Sequence, residues 1–108
     1  MIIAVDFDGT LCEDAYPGMG DPNYYLILQL RGRQALGDKL ILWTCRGGEE
    51  LDAAVEWCRE RGLVFDAIND NVPETIYRYG NNSRKITADI YIDDRSEKPW
   101  KQLLAEVV

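Results

Sequence analysis

Residues 1–11, MIIAVDFDGTL, constrain the fold more than any other stretch of the chain. Ile2, Ile3, Ala4 and Val5 form an apolar run without polar alternation, the pattern of a strand buried on both faces. The run ends in Asp6-Phe7-Asp8-Gly9-Thr10. Two carboxylates held close at a strand end repel, and one takes up a proton unless a cation neutralises them. Asp6 and Asp8 share parity, so an extended backbone would send both side chains the same way. Gly9 lets the chain turn out of the sheet. The stretch therefore predicts a hard-metal site with a reactive carboxylate at the end of the first strand.

The remaining chain repeats the theme. Residues 39–44, KLILWT, form a second apolar run, ending at Thr44 and followed by Cys45-Arg46-Gly47-Gly48. A third, short strand opens at Leu63 and runs out near Ile68, before Asn69-Asp70. A fourth spans 88–92 and ends in Asp93-Asp94-Arg95. Helices are expected between them. Over 23–36, Tyr24, Ile27, Leu28 and Leu30 would form the apolar side. Over 49–61, Leu51, Ala54, Val55 and Cys58 follow the i, i+3, i+4, i+7 spacing, which makes Cys58 a core residue. A short helix before Gly80 would start from an Asn71–Glu74 capping box, and 99–107 would form a closing helix. Residues 13–22, rich in Gly, Pro and acid, read as a long loop, either a lid or a solvated connector.

Alternating strands and helices give a parallel sheet with right-handed crossovers. Its strand ends share one edge, where open α/β sheets bind ligands. Asp6, Thr44 and Asp93-Asp94 would meet there.

Composition narrows the chemistry. A chain of 108 residues suits one domain, residues 1–108. A net charge of −7 disfavours broad contact with nucleic acid. It still permits a small phosphorylated substrate held by a metal and a few local cations. There is no histidine, which disfavours zinc catalysis and Ser-His-Asp chemistry. Three cysteines, Cys12, Cys45 and Cys58, do not form a disulfide framework and point to a reducing, cytoplasmic setting. Cys12 and Cys45 read as small wall-forming residues. No leader and no apolar run near 18 residues indicates secretion or a membrane.

The parts suit phosphoryl transfer, which needs an in-line nucleophile, a metal and fixed donors around the phosphate. Asp6 can be the nucleophile. Asp6, Asp8, Asp93 and Asp94 can supply oxygen for magnesium. Thr44 offers a hydroxyl and Lys85 a positive charge for the equatorial oxygens. Arg46 reads as a leaving-group contact or a surface salt bridge, and Asn69 and Asp70 as substrate-contact candidates.

In order and context, DFDGT, ILWT, Lys85 and YIDD resemble the four motifs of the haloacid dehalogenase superfamily, over nearly the whole chain. ILWTCR, SRK and ADIYIDDR are similar to a small bacterial subgroup of its capless hydrolases. The resemblance implies a three-layer, Rossmann-like α/β domain with helices on both faces of a parallel sheet. It implies a magnesium-dependent phosphatase working through an aspartyl-phosphate. Asp6 would be nucleophile and metal ligand. Asp8 would be general acid/base and would bind the metal through its backbone carbonyl. Thr44 and Lys85 would hold the phosphate. Asp94 would touch the metal directly, with Asp93 in or beside its shell. Neither gap between motifs has room for a cap domain, so substrate choice would rest on the 13–22 loop, on 69–73, or on a neighbouring copy in a homo-oligomer. Two rival readings are a phospho-acceptor module of receiver type and a catalytically silent binding module of the same fold. Receivers carry the acceptor aspartate on the third strand, with threonine and lysine after it. Here Thr44 precedes the third strand.

Overall fold

In the computed structural model, residues 1–80, 82 and 86–93 are described. Lys85, Asp94, its neighbours Arg84 and Arg95, and the helix expected over 99–107 lie outside them. The expected run of apolar residues is strand β1 (Ile2–Val5). It is followed by helix α1 (Tyr24–Ala35), β2 (Lys39–Leu42), α2 (Gly48–Glu60), β3 (Ala67–Ile68), α3 (Pro73–Tyr79) and β4 (Ile90–Ile92). The strands form one parallel sheet in the order β3-β2-β1-β4. The protein is thus α/β with a four-stranded parallel sheet.

Period-two alternation divides the sheet residues between two faces. Ile3, Val5, Leu40, Leu42 and Ile92 pack with Leu26, Ile27 and Leu30 of α1 and with Ala54, Trp57 and Cys58 of α2. Ala4 and Ile41 face the other way, onto Val72 and Ile86. Both faces of β1 are covered, which is why its sequence shows no polar alternation. The connections β1-α1-β2 and β2-α2-β3 step in the same direction, so right-handed crossovers put α1 and α2 on one face. β4 then adds on the far side of β1, and the strand order reverses between β1 and β4. That reversal is the switch point at which open sheets leave a crevice.

Four local expectations change. The buried stripe of α1 is Leu26, Ile27, Leu30 and Arg33, whereas Tyr24 and Leu28 are exposed. The helix carries two rival apolar stripes, and the sheet takes the one that also brings Arg33 to Asp38. β3 begins at Ala67 rather than Leu63, because the Asp66 carboxylate accepts the Leu40 N–H at 2.7 Å where a strand carbonyl would otherwise sit. β4 likewise begins at Ile90 rather than Ala88, and the Asp89 carboxylate accepts the Ile2 N–H at 2.6 Å. The Asn71–Glu74 capping box does not form. α3 has Val72 at its N-cap and Pro73 in its first turn, where a missing N–H costs nothing. The Asn71 side chain instead accepts the Thr87 N–H at 2.7 Å and donates to Asn82.

α2 follows expectation. Glu49 and Glu50 sit in its first turn and Arg59 in its last, matching the helix dipole. Cys58 is fully buried, and burial pushes its thiol up to about 12, so it is an inert packing residue. Cys12 is also buried and its thiol is raised, again chiefly by burial, whereas Cys45 is exposed. All three are free thiols. Among the described residues, no helix is long and apolar enough to cross a membrane.

Candidate functional site

The carboxyl ends of three neighbouring strands, β2, β1 and β4, form a row. Val5 pairs with Leu42 on one side and Ile92 on the other. The ladder continues one step, with the Trp43 N–H donating to Val5 O and the Asp6 N–H donating to Ile92 O, both at 2.8 Å. Trp43, Asp6 and Asp93 therefore stand abreast on neighbouring strands, about 4.8 Å apart, with Asp6 in the centre at the switch point. One Asp6 oxygen accepts the Phe7 N–H at 2.8 Å.

Thr44 lies one residue beyond the row. Its N–H donates to Asn69 Oδ1 at 2.8 Å, and its hydroxyl oxygen accepts the Arg46 N–H at 3.1 Å. Asn69 sits at φ 49°, a left-handed conformation that asparagine tolerates better than most residues. Its own N–H donates to Leu42 O at 2.7 Å. Asn69 thus buttresses the Thr44 turn. Asp70 accepts the Asn71 N–H and the Asn82 amide through one oxygen, which shapes its loop.

Past Asp6 the chain is not extended. The N–H groups of Thr10 and Leu11 both donate to Phe7 O, and Gly9 takes φ 80°, so strand parity does not govern Asp8. What holds Asp8 is Arg46. The guanidinium donates from Nε to one carboxylate oxygen at 2.8 Å and from NH2 to the other at 2.7 Å, a bidentate fork. It also donates to the carbonyls of Pro17 at 3.0 Å and Gly18 at 2.6 Å. The guanidinium carbon lies over the Phe7 and Tyr16 rings, 4.9 and 5.1 Å from their centroids. The Arg46 side chain is 1% exposed and that of Asp8 21%. Arg46 is therefore a buried clamp, not a surface salt bridge. Its hydrogen bonds to Asp8 raise its own pKa against the cost of burial.

The clamp also fastens the 13–22 loop. The base of that loop is closed by Glu13 N–H to Asp21 O at 2.9 Å and Asn23 N–H to Leu11 O at 2.8 Å. A Cβ on Gly20 would come within 2.4 Å of Glu13 O, so only glycine permits the two sides to approach. The loop is tied at its base by backbone bonds and at its far end by Arg46.

Of the expected site residues, Asp6, Thr44 and Asp93 come together, while Asp8 is held beside them by Arg46. Among the described residues, no group of three carboxylates or thiols is arranged to hold a metal. Asp94, an expected ligand, lies outside them. Asp6 and Asp93 are the two expected metal ligands that the register row sets side by side. Two residues of the site are not evident from sequence. Trp43, 47% exposed, stands beside Asp6 but reads as one more apolar residue of its strand. Arg46 gives no sequence signal for turning inward, since it follows the strand end and precedes two glycines.

Fold and site together define a parallel α/β protein with an acidic site at the topological switch point. No protein-family model and no curated protein matches the chain. The solved structure of a conserved protein from Bacteroides thetaiotaomicron is similar to it, with 43% identity and a TM-score of 0.84, over 99% of this chain and 88% of that one. At that identity and coverage, the chain belongs to the same family as the Bacteroides protein.

Proposed function

We propose that the protein is a magnesium-dependent phosphatase of the haloacid dehalogenase type, a single capless three-layer domain that hydrolyses small phosphomonoesters through an aspartyl-phosphate on Asp6. The observation that carries this reading is the register row that sets Asp6 beside Asp93 at the switch point, with the Thr44 turn next to it. Magnesium held by Asp6, Asp93, Asp94 and the Asp8 carbonyl would supply positive charge to the phosphate oxygens. The Phe7 N–H, at 2.8 Å from one Asp6 oxygen, helps fix the carboxylate that would attack phosphorus. The Thr44 hydroxyl accepts from the Arg46 N–H, so its own proton is directed away from the turn and serves a phosphate oxygen. Lys85 serves another, by the resemblance. Asp8 protonates the leaving oxygen and later takes a proton from the water that attacks the acyl phosphate. Each of its oxygens keeps a second lone pair while Arg46 occupies the first. Arg46 is a positioning residue, aiming Asp8 without touching phosphate.

Asp6→Asn tests the reading. Its amide cannot form the phosphoenzyme, so turnover of an aryl phosphate in magnesium should fall by about a thousandfold or more while the unfolding midpoint stays near wild type. Wild-type turnover in Asp6→Asn would end the covalent mechanism.

A further inference from the structure

α1 presents a stripe that the core does not use. Tyr24 and Leu28 are 60% and 59% exposed, and Arg31 continues the stripe at helical spacing. Opposite it lies the end of α2, with Arg59, Arg61 and Gly62. Between them is a groove of about 460 Å³, a size that suits a small ligand. The α2 end of this groove is at the amino edge of the sheet, because α2 runs back from the carboxyl end of β2. It is therefore remote from the Asp6–Asp93 row.

The groove is cationic in a chain of net charge −7. Arg61 is fixed in place: its guanidinium lies 3.9 Å from the Trp57 ring centroid and donates to Trp57 O at 3.0 Å. Its Nε is buried without a hydrogen-bond partner among the described residues. Glu60, the carboxylate in the lining, approaches Arg61 only to 3.8 Å. Arg59 is paired with Glu56 on the exposed side of α2. Arg31 has no hydrogen-bond or ion-pair partner among the described residues. Gly62, at φ 87°, has no Cβ to meet the Arg31 guanidinium, whose Nε lies 2.7 Å from where one would be. The α2 dipole accounts for basic residues at its C-terminus. It does not account for Arg31, which comes from another helix.

We infer that this groove binds a small amphipathic anion, with a phosphate group between Arg31 and Arg61 and a flat apolar body on Tyr24 and Leu28. Guanidinium forks match phosphate oxygens in pairs, and an exposed tyrosine offers a ring face at little entropic cost. The site is separate from the proposed catalysis and does not depend on it.

The test is a titration of the ¹⁵N-labelled full chain with AMP, and in parallel with inorganic phosphate, both in excess chelator. AMP should move the amide signals of Arg31, Arg61 and Gly62 saturably, and phosphate alone should do so more weakly. Arg31→Gln should weaken AMP about tenfold, Tyr24→Ala should weaken AMP but not phosphate, and Arg78→Gln, on α3, should change neither. Arg31 is exposed, so its variant folds even if Arg61→Gln does not. Groove signals that stay still at millimolar AMP, movement confined to Asp6, Thr44 and Asp93, or equal affinity in Arg31→Gln would each overturn the site. Equal affinity for AMP and phosphate would overturn the apolar half of it. None of these results touches the phosphatase reading, which is decided by turnover in Asp6→Asn.

Discussion

Among the described residues two arginines are buried, each against an aspartate, at opposite edges of the sheet. Arg33 meets Asp38 across the end of α1 at 2.6 Å, with the Met1 ammonium on the other Asp38 oxygen. Arg46 meets Asp8 across 38 residues, with two carboxylate bonds, two loop carbonyls and two rings. The Arg33–Asp38 pair closes a helix between near neighbours in the chain, and only the Met1 ammonium that shares Asp38 comes from a distant position. The second can exist only after β1, β2 and the 13–22 loop are assembled. The comparison teaches that similar pairs can do different work: the amino-edge pair finishes a secondary-structure element, whereas the carboxyl-edge pair aims a side chain of the site.

Removing the carboxyl-edge clamp should have the largest effect. Arg46→Met leaves Asp8 without its partner and releases the loop, and should cost about 3–5 kcal/mol in urea unfolding. Adding Asp8→Leu should recover part of that loss, because an apolar pair replaces a broken ionic one, while turnover stays absent. A single Arg46→Met loss below about 1 kcal/mol would put the clamp on the level of a surface pair.

The two aspartates should separate next. Asp38→Asn should cost about 1–3 kcal/mol of stability and leave kcat for an aryl phosphate unchanged. Asp8→Asn should slow both chemical steps. With a good leaving group the second step suffers more, so intact-mass measurement after rapid quench should show a phosphoryl group accumulating on the protein. Equal kcat in the two variants would erase the distinction between the edges.

The pH dependence gives a smaller difference. Burial alone would push the Asp38 carboxyl up, but hydrogen bonds from the Met1 ammonium and Arg33 outweigh it and hold the carboxyl below its ordinary value. A depressed carboxylate contributes stability above its unfolded pKa and loses it as pH falls through the folded one. Unfolding free energy should therefore decline below about pH 4, with a shallower decline in Asp38→Asn. An identical acid limb in both proteins would show that Asp38 is not the group responsible.

Trp43→Ala should have the smallest effect. The ring stands beside Asp6 and is half exposed, so its loss should raise KM for an aryl phosphate about fivefold, or roughly 1 kcal/mol, with kcat little changed. An unchanged KM would remove Trp43 from the substrate wall.

The sheet, and the edge at which Asp6, Thr44 and Asp93 meet, were legible in the chain. Apolar runs without alternation at Ile2–Val5 and Lys39–Leu42 demand two covered faces, and alternating helices demand parallel strands. Parallel strands then bring Asp6, Thr44 and Asp93 to one edge by topology alone. Helix α2 was equally legible, because one stripe of apolar residues matches one buried face. Helix α1 was not, since Tyr24–Leu28 and Leu26–Leu30 satisfy the same period and only the sheet chooses between them. The starts of β3 and β4 were hidden because the side-chain carboxylates of Asp66 and Asp89, just before them, each take a backbone donor, a substitution that hydropathy does not register.

The sequence by itself determined which residues reach the carboxyl edge, because period and alternation are local properties of the backbone. Only the tertiary structure decided what each of them touches there. It turned Arg46 inward onto Asp8, tied the 13–22 loop to that pair and set Trp43 abreast of Asp6. Those contacts join residues tens of positions apart, and their geometry depends on strand register and on the removal of water from a guanidinium. Neither quantity is carried by any single stretch of the chain.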